Sequence, residues 1–286
     1  MSGAWQTLGG VDPGALTDAR ATLHQAAHVV QSVGRSIRIH RDDDSHATMT
    51  WHRELGGLAG LEVNGRRLVL RCADFELAIL GADDGAGDRF ALAGRTEDEA
   101  VAWLRGHLGR NAAAHTLDVP YDLPPHPVQD GEPYPEVDQA AAAELARWFA
   151  DADLLLAEVV ARHPEAGPLR VWPHHFDMAT LLKLDGPDDD AHCRAASATR
   201  TVGVGLSPGD DSYAEPYLYV SPYPFPPNIE RLPALPGKGF WRADSWVGAV
   251  LRGRDIVAGS DPHAACRRFL EAALAASREH LETCTP

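Results

Sequence analysis

Two stretches of the chain concentrate groups able to move protons or hold a metal: Trp172-Pro173-His174-His175-Phe176-Asp177 and, further on, Gly205-Leu206-Ser207-Pro208-Gly209-Asp210-Asp211-Ser212-Tyr213-Ala214-Glu215-Pro216-Tyr217. Imidazoles, carboxylates, a phenol and a hydroxyl are the inventory of an acid–base or metal site. Read as a strand, the first stretch turns His175 and Asp177 to one face and His174 to the other. A His-x-Asp pair on one face supplies two metal ligands, or a carboxylate that orients an imidazole base. The plainer reading is a buried hydrogen bond that satisfies a polar core.

His24 and His28 stand four residues apart, hence on one face of a helix. Gln25, Ala26 and Ala27 lie between them, so the glutamate of the zinc-protease pattern is missing. His24 borders the apolar stripe and is expected to point inward, and His28 is expected at the rim.

Gly205-Leu206-Ser207-Pro208-Gly209 fits the G-x-S-x-G spacing of a nucleophile elbow. Pro208 has no N–H to offer an oxyanion, and no helix follows, so a serine nucleophile is not expected. Gly203-x-Gly205 lacks the helix and neutral loop of a dinucleotide site. Tyr213 and Glu215 lead into Tyr217-Leu218-Tyr219, where alternate aromatics pack a sheet face or wall a pocket with Glu215 or Tyr213 at its mouth. Pro216 fits the start of an edge strand.

The elements that must position these groups are legible from periodicity and caps. A helix is expected over 13–33, with Asp12-Pro13 as its cap. Strand-like runs follow at 47–51, 61–63, 67–71 and 75–80, and Asn64-Gly65 is a type I′ hairpin signal. Thr96 and Glu99 form a capping box for a second helix. Residues 115–137, rich in proline and acid, read as a connector. The order then repeats: a helix over 138–162, strands at 169–172, 177–184, 199–206 and 217–221, and a last helix opened by Ser260-Asp261-Pro262. This predicts an α+β fold, mostly antiparallel sheet flanked by helices, in which the repeated order is either a helix–strands–helix unit written twice or an accidental likeness between two runs of strands set between helices. Residues 1–114 and 138–286 form its halves, joined by 115–137.

The formal charge of −15, from 41 acidic and 26 basic side chains, repels polyanions. Nucleic acid and anionic membrane surfaces are therefore not expected partners. No apolar run is long enough to span a bilayer, and no secretory leader is visible. The cysteines (Cys72, Cys193, Cys266, Cys284) show no pairing pattern, as expected of reduced thiols in a cytoplasm. The aspartate runs 42–44 and 188–190 lack the glycine and alternating ligands of a calcium loop.

Thr22-Leu23-His24, His46, Trp172-Pro173-His174-His175-Phe176-Asp177, Leu206-Ser207-Pro208-Gly209-Asp210 and Glu215-Pro216-Tyr217 together resemble an uncharacterised family of bacterial proteins, a domain of unknown function. The resemblance spans nearly the whole chain. It implies one α+β architecture with no activity attached, and it makes His24, His46 and Asp177 shared positions. One branch of that family has small or aromatic residues in place of His174 and His175, which implies local additions here.

The reading is an enzyme acting on a small molecule by hydrolysis or proton transfer. His175 or His24 serves as base, Asp177 as orienting carboxylate, and Glu215 or Tyr213 as acid. In the metal-assisted version His174, His175, Asp177 and His46 hold a divalent zinc, iron or manganese ion. The alternatives are a small-molecule binding protein with an aromatic pocket, and a homo-oligomer whose aromatic face meets a second copy.

Overall fold

The computed structural model describes residues 4–41, 43–81, 87–112, 119, 121–185, 199–244 and 246–283. The acidic run 188–190, Asp42, Cys193 and Cys284 lie outside them, as does part of the 115–137 segment. The first half opens with a single 3-10 turn, Pro13–Leu16, capped by Asp12 through the Gly14 N–H at 2.9 Å. It leads into α1 (Thr17–Ile37). Five antiparallel strands follow as a meander: β1 (Thr50–His52), β2 (Gly57–Val63), β3 (Arg66–Arg71), β4 (Glu76–Leu80) and β5 (Arg89–Ala91). Asn64 and Gly65 turn the β2–β3 hairpin with φ of 52° and 72°. Thr96 and Glu99 close the expected capping box on α2 (Glu97–Leu108).

The second half begins with α3 (Gln139–Arg162), whose first turn is capped by Asp138. Its sheet holds β6 (Arg170–Trp172), β7 (Asp177–Lys183), β8 (Thr201–Ser207), β9 (Tyr217–Tyr223), β10 (Phe240–Ala243) and β11 (Val247–Arg252), in the order β10-β11-β9-β8-β7-β6. A short α4 (Gly253–Val257) and the long α5 (Pro262–Thr283) complete the chain. Helix, antiparallel strands, helix thus recurs, and the fold is α+β. The strand order does not recur, because β11 inserts between β9 and β10. Strands β5, β10 and β11 and helix α4 carry no strong sequence signal; each is short or broken by Gly, Arg and Trp.

The two sheets meet at their first strands, where Met49 and Val171 exchange backbone hydrogen bonds of 3.0 and 2.8 Å. One hydrophobic cluster draws on both halves, including Leu23 and Val30 of α1, Leu70 of β3, Phe149 of α3, Val204 of β8 and Phe269 of α5. The proline-rich segment is no free linker, since Val128 and Tyr134 are buried in that cluster.

Three expectations need correction. The facing of His174, His175 and Asp177 read from strand alternation does not hold: Trp172 pairs with Asp177, and the four residues between the two expected strands form a hairpin turn that Phe176 closes at φ 55°. Pro173 cannot donate to a ladder, and the turn removes the alternation that set His174 and His175 on opposite faces. Pro216 does not start an edge strand; β9 is interior, hydrogen-bonded to β8 and β11. His28 is not at the rim but fully buried, because the connector crosses over the helix face that would otherwise meet solvent.

Candidate functional site

The register of the second sheet sorts its side chains. Met178 of β7 pairs with Leu206 of β8, and Leu206 with Leu218 of β9; these face the helices. Asp177, Gly205, Tyr217 and Tyr219 therefore share the opposite face. The Tyr219 hydroxyl donates a short hydrogen bond to Asp177 Oδ2 across the strand between them. Gly205 makes this possible: a Cβ there would lie 2.6 Å from the Tyr219 hydroxyl oxygen and 2.7 Å from the Met178 carbonyl oxygen. Asp177 is buried and its Oδ1 has no hydrogen-bond partner. Burial raises its carboxyl pKa, opposed by the Tyr219 hydrogen bond and by nearby His175. Tyr219 is also raised, by burial and then by Asp177 itself.

Beside this row, the 173–176 turn approaches α1. The His24 ring stacks on Phe176 at 4.9 Å between centroids, and its Nε2–H donates to the Pro173 carbonyl oxygen at 2.6 Å. That bond leaves His24 Nδ1 as an acceptor. Burial lowers the His24 pKa to about 4 and, with His175 adding to it, that of His174 to about 4. Both imidazoles are therefore neutral near pH 7. His175, exposed, has its ring 4.4 Å from that of His174.

A cavity of about 450 Å³ opens here, lined by Arg20, His24, His174, His175, Phe176 and Asp210, with Asp122, Pro124 and Asp211 also contributing. A larger hollow of about 700 Å³ on another side of α1 is lined mainly by Ala, Pro and acidic residues and contains one imidazole, His126. The smaller one carries the cluster of imidazoles, His24, His174 and His175.

Sequence reasoning missed Arg20, although the spacing 20, 24, 28 aligns it with both histidines. The same face of α1 continues as a buried polar row. Gln31 Nε2 bonds His28 Nδ1 at 2.8 Å, Arg35 Nε donates to Gln31 Oε1 at 2.8 Å, and Arg35 Nη2 reaches Asp44 at 2.5 Å. Tyr121, from the connector, lies against His28, His174 and Arg35.

Other expected residues sit elsewhere. His46 packs on His40 with its Nε2 3.8 Å from Asp44, away from the cavity lining. Glu215 is buried and accepts from Arg254 N at 2.8 Å and Arg254 Nε at 2.5 Å, fastening the start of α4. Tyr213 packs on Tyr217 and beneath the Arg242 guanidinium, and its carbonyl oxygen accepts from Asp210 N. Ser207 Oγ accepts from Gly209 N at 3.1 Å, a turn contact. Among the described residues, no group of three or more His, Cys, Asp or Glu side chains is arranged to hold a metal ion. No helix among them is long and apolar enough to cross a membrane.

A family model described as "Family of unknown function (DUF5996)" matches residues 12–282. The chain belongs to DUF5996. The match covers both sheets and the α1 face that lines the cavity, and no activity is attached to it. No curated protein and no solved structure matches this DUF5996 member.

Proposed function

We propose that the chain is an enzyme that carries out acid–base chemistry, hydrolysis or proton transfer, on a small molecule bound in the cavity between α1 and the 173–176 turn. The supporting observation is the placement of exposed His175 on the cavity wall within electrostatic reach of the buried Asp177–Tyr219 pair. His175 takes the proton in this reading. His175 in turn favours the charged form of the Asp177 carboxyl behind it. His24 and His174, neutral at pH 7, orient the substrate by hydrogen bonds and do not compete for its charge. Tyr219 holds Asp177 in place. Glu215 and Tyr213 support the loop and supply no acid. A cytoplasmic setting accords with the buried free thiols of Cys72 and Cys266.

The test compares wild type, His175→Ala and Asp177→Asn on panels of aryl esters, aryl amides and small carboxylic acids, with mass-spectrometric detection of products and of deuterium exchange. Turnover should fall by about 10²–10⁴-fold in His175→Ala, the usual contribution of general acid–base catalysis, while ligand affinity is retained. Turnover that survives both substitutions refutes the proposal. Binding without turnover in the wild type favours a binding protein.

A further inference from the structure

We infer that the cavity takes a small monocarboxylate whose anionic oxygens dock on the guanidinium of Arg20. This deepens the enzyme reading above and rests on it for the location of the site, and its evidence is separate from the proton chemistry.

Arg20 lies one helical turn before His24 and lines the same cavity. Its Nη1 is buried and has no hydrogen-bond partner. The nearest acid is already engaged. Asp210 Oδ2 accepts from the Tyr217 hydroxyl at 2.6 Å, and Oδ1 accepts from Ser212 N at 2.8 Å and Tyr213 N at 3.0 Å. Asp210 and Asp211 influence Arg20 through space without bonding it, and burial still lowers its pKa. A buried guanidinium N–H without a partner is costly, and a carboxylate seated against the guanidinium would supply an acceptor for it.

The loop is shaped to admit the guanidinium. Gly209, at φ 116°, lies so close that a Cβ there would fall 2.2 Å from Arg20 Nη1. Any other residue would displace the cation or the loop.

Charge selects within the anions. Arg20 is the only Arg or Lys among the described lining residues, and His24 and His174 are uncharged. Asp122, Asp210 and Asp211 line the same cavity, so a phosphate dianion meets three carboxylates against one cation. A monocarboxylate meets the same aspartates with half the charge of a phosphate dianion, so it is repelled less while it pairs with Arg20. Phe176, Leu123, Pro124 and Ala21 offer apolar wall to the rest of the molecule, and the volume suits a small organic acid.

Calorimetry and thermal shift on the intact chain test this with benzoate, phenylacetate and hexanoate, their carboxamides, and inorganic phosphate. At least one carboxylate should bind the wild type and raise its melting temperature, and its amide should not. Arg20→Met should weaken that carboxylate by at least about tenfold. Arg20→Lys, which keeps the charge but loses the fork, should lie between. Equal binding of amides, preference for phosphate, full affinity in both Arg20 variants, or no carboxylate bound up to about 10 mM each overturns the inference. Carboxylate binding through Arg20 with no turnover on any panel leaves this inference standing while the enzyme reading falls.

Discussion

Tyr219→Phe isolates one hydroxyl on which the buried carboxylate of the site depends. Tyr219 donates to Asp177 Oδ2, and Oδ1 has no partner, so the substitution strips Asp177 of its side-chain hydrogen bond inside the protein. A buried hydrogen bond contributes about 1 kcal/mol to a neutral acceptor and about 1.5–3 kcal/mol to an ionised one, and the upper range applies where Asp177 is ionised. At roughly 2–4 °C per kcal/mol for a chain of this size, the melting temperature should fall by about 3–12 °C at neutral pH. The loss should depend on pH with a definite sign. The Asp177 pKa is raised in the fold, so the stability its protonated form confers is present below the unfolded carboxylate value, about 4, and is lost as pH rises. Removing the hydroxyl raises that pKa further, so the gap between variant and wild type should widen from pH 4 to pH 7.5. Thermal melts at both pH values, in Asp177 and Asp177→Asn backgrounds, measure it. With the neutral amide the same hydroxyl should be worth about 1 kcal/mol. An equal penalty at both pH values and in both backgrounds would refute the coupling.

Gly205→Ala should destabilise by about 1–3 kcal/mol, because the new Cβ falls on the Tyr219 ring and on the Met178 carbonyl; chemical denaturation measures the loss, and an unchanged midpoint contradicts the packing described. Glu97 begins α2 with both carboxylate oxygens buried and unpartnered, and burial, then Asp98, raises its pKa to about 8 from an ordinary 4.5. The stability of its protonated form is therefore complete below pH 4.5 and lost as pH rises through about 8, so Glu97→Gln should gain stability over wild type at pH 8–9 and flatten the profile; parallel profiles would contradict this.

Much of the scaffold was legible because its signals are local. Asp12 caps the turn that opens α1, Thr96 caps α2, and Asn64-Gly65 turns the hairpin it marks, since each motif acts within a few residues of itself. Where a signal had two local readings, the sequence misled. Trp172 to Asp177 alternates like a strand, yet Pro173 and the left-handed Phe176 make it a turn, and His174 and His175 fall side by side.

The sequence by itself determined the α+β class, the caps and turns, the chemical inventory and the family motifs, because propensity, periodicity and hydrogen bonding between near neighbours are properties of short segments. Tertiary structure alone decided which of those groups meet. It sealed His28 beneath the connector, took Glu215 for Arg254, left His46 beside Asp44, and set Arg20 against Gly209 at the cavity. The physical reason is that the site is assembled from α1, the β6–β7 turn and the loop after β8. These segments are far apart in sequence, and burial of one shared core brings them together.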